Sequence, residues 1–200
     1  MTDAIDKIQE EHKDLGRVLL ALRAEVKRLR GAEWRRAAGQ EPEGKAGYRP
    51  NLDLLFSIVY YIRVFPDKFH HPKEEDYLFR ALRQRNPGSS GFLDQVTQQH
   101  SVGARLIDEL DAALKAYHND YPDGLDALEA AAETYVTSQF EHMKLEEEKI
   151  IPAARDTLKA EDWEMINGVF SDNRDPMFSE NVETAFHVLR DHIVKEAGTA

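Results

Sequence analysis

Along four long stretches of this 200-residue chain, apolar residues recur at alternating intervals of three and four, and clusters of glycine and proline separate the stretches. That period is the mark of helices burying one face each. The first, about Asp3 to Arg30, puts Ile5, Ile8, His12, Leu15, Leu19, Leu22, Val26 and Leu29 on one stripe. The second opens at Asn51, a side chain suited to an N-cap, and runs to about Arg85 with Leu52, Leu55, Val59, Ile62 and Phe65 on one side. Pro66 and Pro72 fall inside it and either kink one long helix or break it in two; a single bent helix is the preferred reading. After the connector Asn86 to Gly91, the third stretch carries Leu93, Val96, His100, Gly103, Ile107, Leu110, Leu114 and Tyr117. The turn signal His118 to Gly124 precedes the fourth, which aligns Leu125, Leu128, Ala132, Tyr135, Gln139, His142 and Glu146, with Pro152 bending or tightening its last turns.

Gly31 to Pro50 reads as a long connection anchored by Trp34. Beyond Ala160 a short helix is expected around Trp163 to Phe170, then a turn in SDNRDP and a last helix from about Asn181 to Lys195. No strand-like alternation is sustained. The expected fold is all-α: an antiparallel up-down four-helix bundle over residues 1–158, with a C-terminal helical extension, residues 159–200, packed on it as an appendage.

Composition narrows the function classes. The formal net charge of −11 argues against nucleic-acid binding, which needs clustered cations facing phosphates. The basic run from Arg23 to Arg36 lies near a helix end, where cations complement the dipole. With no cysteine, disulfides, thiolate metal sites and a catalytic thiol are excluded, so any metal must be held by nitrogen and oxygen. No apolar run approaches the roughly 20 residues that span a bilayer. A cytoplasmic protein without membrane contact is expected, and nothing in the composition sets its oligomeric state.

A histidine in a helical seam is ordinarily a tolerated core or boundary residue. Here each of the four stretches has one. His12 lies 19 residues before Gly31 and His70 lies 19 residues after Asn51, so each spans ~28 Å of helix and the two are expected level. The same spacing separates His100 from Asn119 and Asp123 from His142. Glu74 follows His70 by four residues and Glu146 follows His142 by four, which sets each pair on one helix face within reach of a common ion. Imidazole with carboxylate and no thiolate suits iron, manganese or zinc, and carboxylates spanning two ions suit a dinuclear iron centre. Glu75 is either solvated or a hydrogen-bond acceptor for a ligand, and Glu147 and Glu148 are read as a solvated acidic face.

The motifs IQEEHKDL (His12), FHHPKEEDYLF (His70, Glu74), QQHSVGARL (His100) and FEHMKLEEEKIIP (His142, Glu146, Pro152) together resemble the HHE-type domain of the hemerythrin family, over about Asp3 to Thr157. The resemblance implies two iron ions with an oxo or hydroxo bridge, Glu74 and Glu146 as bridging carboxylates and histidines in terminal positions. Oxygen-carrying members have a second histidine four residues after the third-helix ligand and an aspartate five after the last histidine; here Ala104 and Glu147 stand there. His71 is the candidate replacement, because in some members the residue after the second-helix histidine is a ligand. Adjacent helical residues point about 100° apart, so His70 and His71 serve together only if both bracket the seam; otherwise water completes the site.

Three functions follow. A di-iron protein that binds or senses dioxygen or a similar small ligand leads. The alternatives are a di-iron enzyme acting on peroxide, ferrous iron or nitric oxide, and a structural bundle whose histidines merely pack. The chain lacks the Glu-x-x-His of ferritin-like di-iron proteins and the cysteine-containing N-terminal region of hemerythrin-like iron-repair proteins. His118, His187 and His192 are read as surface or boundary residues, and Tyr60, Tyr61, Tyr77 and Tyr135 as packing residues. Leu15, Phe69, Val96 and Leu145 are expected to wall the site.

Overall fold

The computed structural model describes residues 3–40, 50–171 and 182–199, all-helical with no strand among them. Helix α1 (Ala4–Ala37) is capped by Asp3, whose side chain accepts from the Ile5 N–H at 3.2 Å. It passes through Gly31 and continues for more than a turn, so Trp34 lies on the helix, 64% exposed, and does not anchor a connection. Residues 41–49, the rest of the expected connection, lie outside the described residues. Helix α2 covers residues 52–85, and Asn51 caps it by accepting from the Leu54 N–H at 3.1 Å. Helix α3 (Ser90–Asn119) takes in His118, which the sequence assigned to a turn. Gly124, at φ +90°, turns the chain into α4, residues 125–157, with a backbone conformation that a side chain would strain. Two shorter helices follow, α5 (Ala160–Ser171) and α6 (Val182–Ala197). The SDNRDP turn, apart from Ser171, and the expected helix start at Asn181 lie outside the described residues.

The internal prolines do not stop their helices. They widen them. Around Pro66 and Pro72 the backbone forms π turns at Pro66–His70 and Glu74–Phe79, and before Pro152 another forms at Glu146–Ile150. Pro72 and Pro152 cannot donate to the carbonyl four residues back, and the N–H just before each reaches five back instead: His71 to Pro66 and Ile151 to Glu146. Pro66 likewise leaves the Ile62 carbonyl without its helical donor, and the buried Tyr135 hydroxyl on α4 donates to it at 3.2 Å.

Helix α1 packs on α4 and α2, and α3 packs on α2 and α4. Charge ladders show the directions. Arg23 meets Glu133 at 2.7 Å and Arg30 meets Glu129 at 2.6 Å, so α1 and α4 run oppositely. Arg63 meets Asp108 at 2.6 Å and Arg83 meets Asp94 at 2.5 Å, so α2 and α3 do as well. These exposed pairs contribute at most ~1 kcal/mol each, and the apolar seam carries the packing energy. The seam forms two clusters, one running from Leu15 and Phe65 through Leu106 and Val136, the other joining Ile5, Ile8, Leu78, Val96 and Ile150. Between them lies a buried polar layer. Helix α5 closes the second cluster with Ile166 and Phe170, while α6 lies on α1 and α2, adding Phe186 and Ile193 to the first.

Candidate metal centre

The polar layer contains His12, His70, His71, Glu74, His100, His142 and Glu146, each at most 8% exposed. The seven side chains sort into overlapping groups whose ligand atoms lie within 4.8 Å of one another. One group is His12, His70, Glu74 and Glu146; another is Glu74, His100, His142 and Glu146; a third joins His71 to His100 and His142. Glu74 and Glu146 belong to both four-membered groups, which gives the layer a two-imidazole end and a three-imidazole end around a shared pair of carboxylates. At the first end the His12 and His70 rings are 5.2 Å apart, and at the second His71 stacks on His100 at 3.9 Å.

The donor atoms face one another without hydrogen bonds. His12 Nε2 is 3.1 Å from Glu146 Oε2, His142 Nε2 is 3.5 Å from the same oxygen, and His70 Nε2 is 3.3 Å from Glu74 Oε1. His100 Nε2 is 3.8 Å from an oxygen of each glutamate. Two donors sharing an ion at about 2.1 Å, at right angles, would be ~3 Å apart. Nε2 of all five histidines, Oε2 of Glu74 and both carboxylate oxygens of Glu146 are buried with no hydrogen-bond partner. So many orphaned polar atoms in one dry layer are costly unless a cation satisfies them, and the nitrogen and oxygen set suits a divalent first-row metal. The residues fit the group.

Outside this layer, carboxylates hold the outer ring nitrogens. Glu11 Oε2 is 2.7 Å from His70 Nδ1, Glu147 Oε1 is 3.2 Å from His12 Nδ1, Glu75 Oε1 is 2.5 Å from His100 Nδ1, and Asp67 Oδ1 is 3.4 Å from His71 Nδ1. A carboxylate there keeps the proton on Nδ1 and turns the Nε2 lone pair inward. Glu147 is therefore not merely a solvated acid, and Glu75 takes the acceptor role. Sequence reasoning missed Glu11 and Asp67. Glu11 follows Ile8 by three and so falls on the apolar stripe, and Asp67 precedes His71 by four; both spacings were available signals.

His71 joins the cluster because of the π turns, which rotate successive residues less than an α turn and let both adjacent rings bracket the seam. Ala104, by contrast, is exposed, so a histidine at that position would face outward. Tyr60 and Tyr77 are exposed, Tyr61 and Tyr135 are buried packing residues, and Phe69 and Leu145 are partly buried beside the fully buried Leu15 and Val96.

Burial pushes the His142 imidazolium down to about 3 and that of His71 down to about 4, which leaves both neutral, the form that ligates metal. Burial would also lower His12, but the Glu146 and Glu147 carboxylates outweigh it and push the ring up to about 9. Burial and the neighbouring Glu146 push the Glu74 carboxyl well above its usual range. Burial acts on Glu146 in the same sense, yet His142, His100 and His12 outweigh it and hold Glu146 low.

Glu11→Ala would free the His70 ring without removing a donor. Metal affinity is expected to fall about 10–100-fold, measured by competition with a chelator, while helix content stays unchanged.

No helix among the described residues is long and apolar enough to cross a membrane. The chain is 28% identical over 181 residues to an uncharacterized protein of Mycobacterium bovis and, to the same extent, to one of Mycobacterium tuberculosis. Each match takes in 88% of this chain and 63% of the relative, so the chain spans less than two thirds of the length of the curated relatives it matches. No solved structure matches it. The family model for the hemerythrin HHE cation-binding domain matches residues 3–154, a span holding all seven inward-facing side chains, and the chain belongs to that family.

Proposed function

We propose that residues 1–158 form an antiparallel four-helix bundle that holds two iron ions and binds or senses dioxygen or a similar small ligand, with residues 159–200 as an appendage packed on it. The observation that carries this reading is the sharing of Glu74 and Glu146 between a two-imidazole and a three-imidazole group. Two ions bridged by two carboxylates use that arrangement fully; one ion would leave half the donors idle. His71, His100 and His142 would complete one ion's set, and His12 and His70 the other's.

The unequal ends support ligand binding. With two imidazoles and two shared carboxylates, the His12–His70 end offers four protein donors, fewer than the six of an octahedral ion, and so leaves room for an exogenous ligand. A groove of about 510 Å³ between α1 and α4, lined by His12, Gly16, Phe140, Met143 and Glu147 among others, reaches this end from outside. Bound iron would supply reversible one-electron chemistry and an open coordination position. The chain supplies the rest: Glu11 and Glu147 orient the two rings, Glu74 and Glu146 offset the positive charge, and Leu15 and Phe65 keep bulk water out.

Metal analysis with absorption spectroscopy tests the proposal. Anaerobically loaded protein should hold about two irons per chain and develop a visible charge-transfer band on exposure to air. A colourless, iron-poor protein would overturn it. If the reduced protein consumes peroxide, nitric oxide or ferrous iron faster than free iron does, the same centre is an enzyme.

A further inference from the structure

Four of the five imidazoles in the buried layer have a carboxylate at Nδ1, and His142 does not. Its Nδ1 is buried without a hydrogen-bond partner. One turn earlier on α4 lies Gln139, 3% exposed, whose Oε1 is likewise buried and unpartnered. A glutamine has a strong acceptor in that oxygen, and leaving it unmade inside a helical core is costly. Its place there depends on a glycine. A Cβ built on Gly103 of α3 would meet Gln139 Nε2 at 2.9 Å, so any side chain at that position would displace the amide.

The two helices present these residues in successive layers. His100 and His142 face each other with ring centroids 4.8 Å apart, and Gly103 and Gln139 face each other one turn away. His142 Nε2 lies toward Glu146, one turn C-terminal, while Gln139 occupies the turn on the N-terminal side of the ring. Residues three apart on a helix are side-chain neighbours.

We propose that Gln139 is the positioning residue of His142: the two orphaned atoms, unpaired with each other in this structure, would pair when the layer is loaded with metal, the amide oxygen accepting the Nδ1–H and aiming Nε2 at the ions, with Gly103 keeping the space for the amide. The inference rests on the metal-binding reading above. It has an electronic consequence. A carboxylate at Nδ1 makes an imidazole a more basic donor, and a neutral amide does so less. The three-imidazole end thus contains one weakly backed ring, which favours the reduced state of the ion there.

The test uses the full chain loaded with ferrous iron, with chelator-driven iron release and reduction potential as readouts. Gln139→Leu keeps the volume and removes the acceptor, and iron release from one of the two positions should speed about 10–100-fold. Gln139→Glu should keep the iron and lower the potential, an effect that a purely packing role would not produce. Gly103→Ala, on the other helix, should reproduce the Gln139→Leu defect, yet add nothing to a Gln139→Ala chain, where no amide remains to be displaced. If the parent chain holds about two irons and both Gln139→Leu and Gly103→Ala release them at the parent rate, with the Gln139→Glu potential unmoved, this inference is overturned and the metal site stands. A parent chain that takes up no iron overturns both.

Discussion

Glu146→Ala is expected to empty both ion positions, leaving less than about a tenth of the parent's iron, whereas His71→Ala should leave about one ion per chain. The difference follows from sharing. Glu146 Oε2 lies 3.1 Å from His12 Nε2 at one end of the layer and 3.5 Å from His142 Nε2 at the other, so its loss removes a donor from each group. His71 belongs to the three-imidazole end alone. The apo form of the variant should melt below the parent apo protein, because the Glu146 carboxylate lies 3.1 Å from the buried His12 ring and helps to hold it protonated, and removing it leaves that ring without its buried partner. Iron analysis beside thermal melting of the iron-free proteins checks both halves. Equal iron in the two variants would break the shared-carboxylate arrangement.

Stripping the iron should lower the melting temperature by roughly 8–16 °C. A ligand present at about a thousand times its dissociation constant stabilises the native state by ~4 kcal/mol, and each kcal/mol moves the midpoint of a chain this size by about 2–4 °C. The physical source is local. Without a cation, five Nε2 atoms and three carboxylate oxygens stay buried and unpartnered between the two apolar clusters. Calorimetry of loaded and chelator-treated protein measures the shift, and Glu146→Ala should show almost none. A parent chain that melts identically in both forms would mean that the layer is stable without metal.

The reading of Gly31 as a helix end shows how the sequence carried the site. Helix α1 continues to Ala37, so the counting that placed His12 level with His70 started from a false terminus, yet the two rings meet at 5.2 Å. The level comes from the seam: Ile8 and Leu15 flank His12 in different apolar clusters, as Phe65 and Leu78 flank the stretch holding His70 and Glu74. Burial of those neighbours fixes the axial register wherever the helix ends fall. The outer carboxylates were less legible, since Glu75 and Glu147 sit in acidic runs that look like any solvated face, and only the fold brings each to a ring on another helix.

By itself, then, the sequence determined the helices, the seam and the depth of its histidines, because a three-four apolar period and an i, i+4 His–Glu pair are properties of one helix and need no partner. Only the tertiary structure decided the rest. Whether His71 turns inward depends on π turns at prolines, and the fate of Glu11 depends on a ring 2.7 Å away on α2. Gln139 acquires its place only where α3 approaches closely enough for Gly103 to be required. These are contacts between helices, and local periodicity carries no information about what stands opposite.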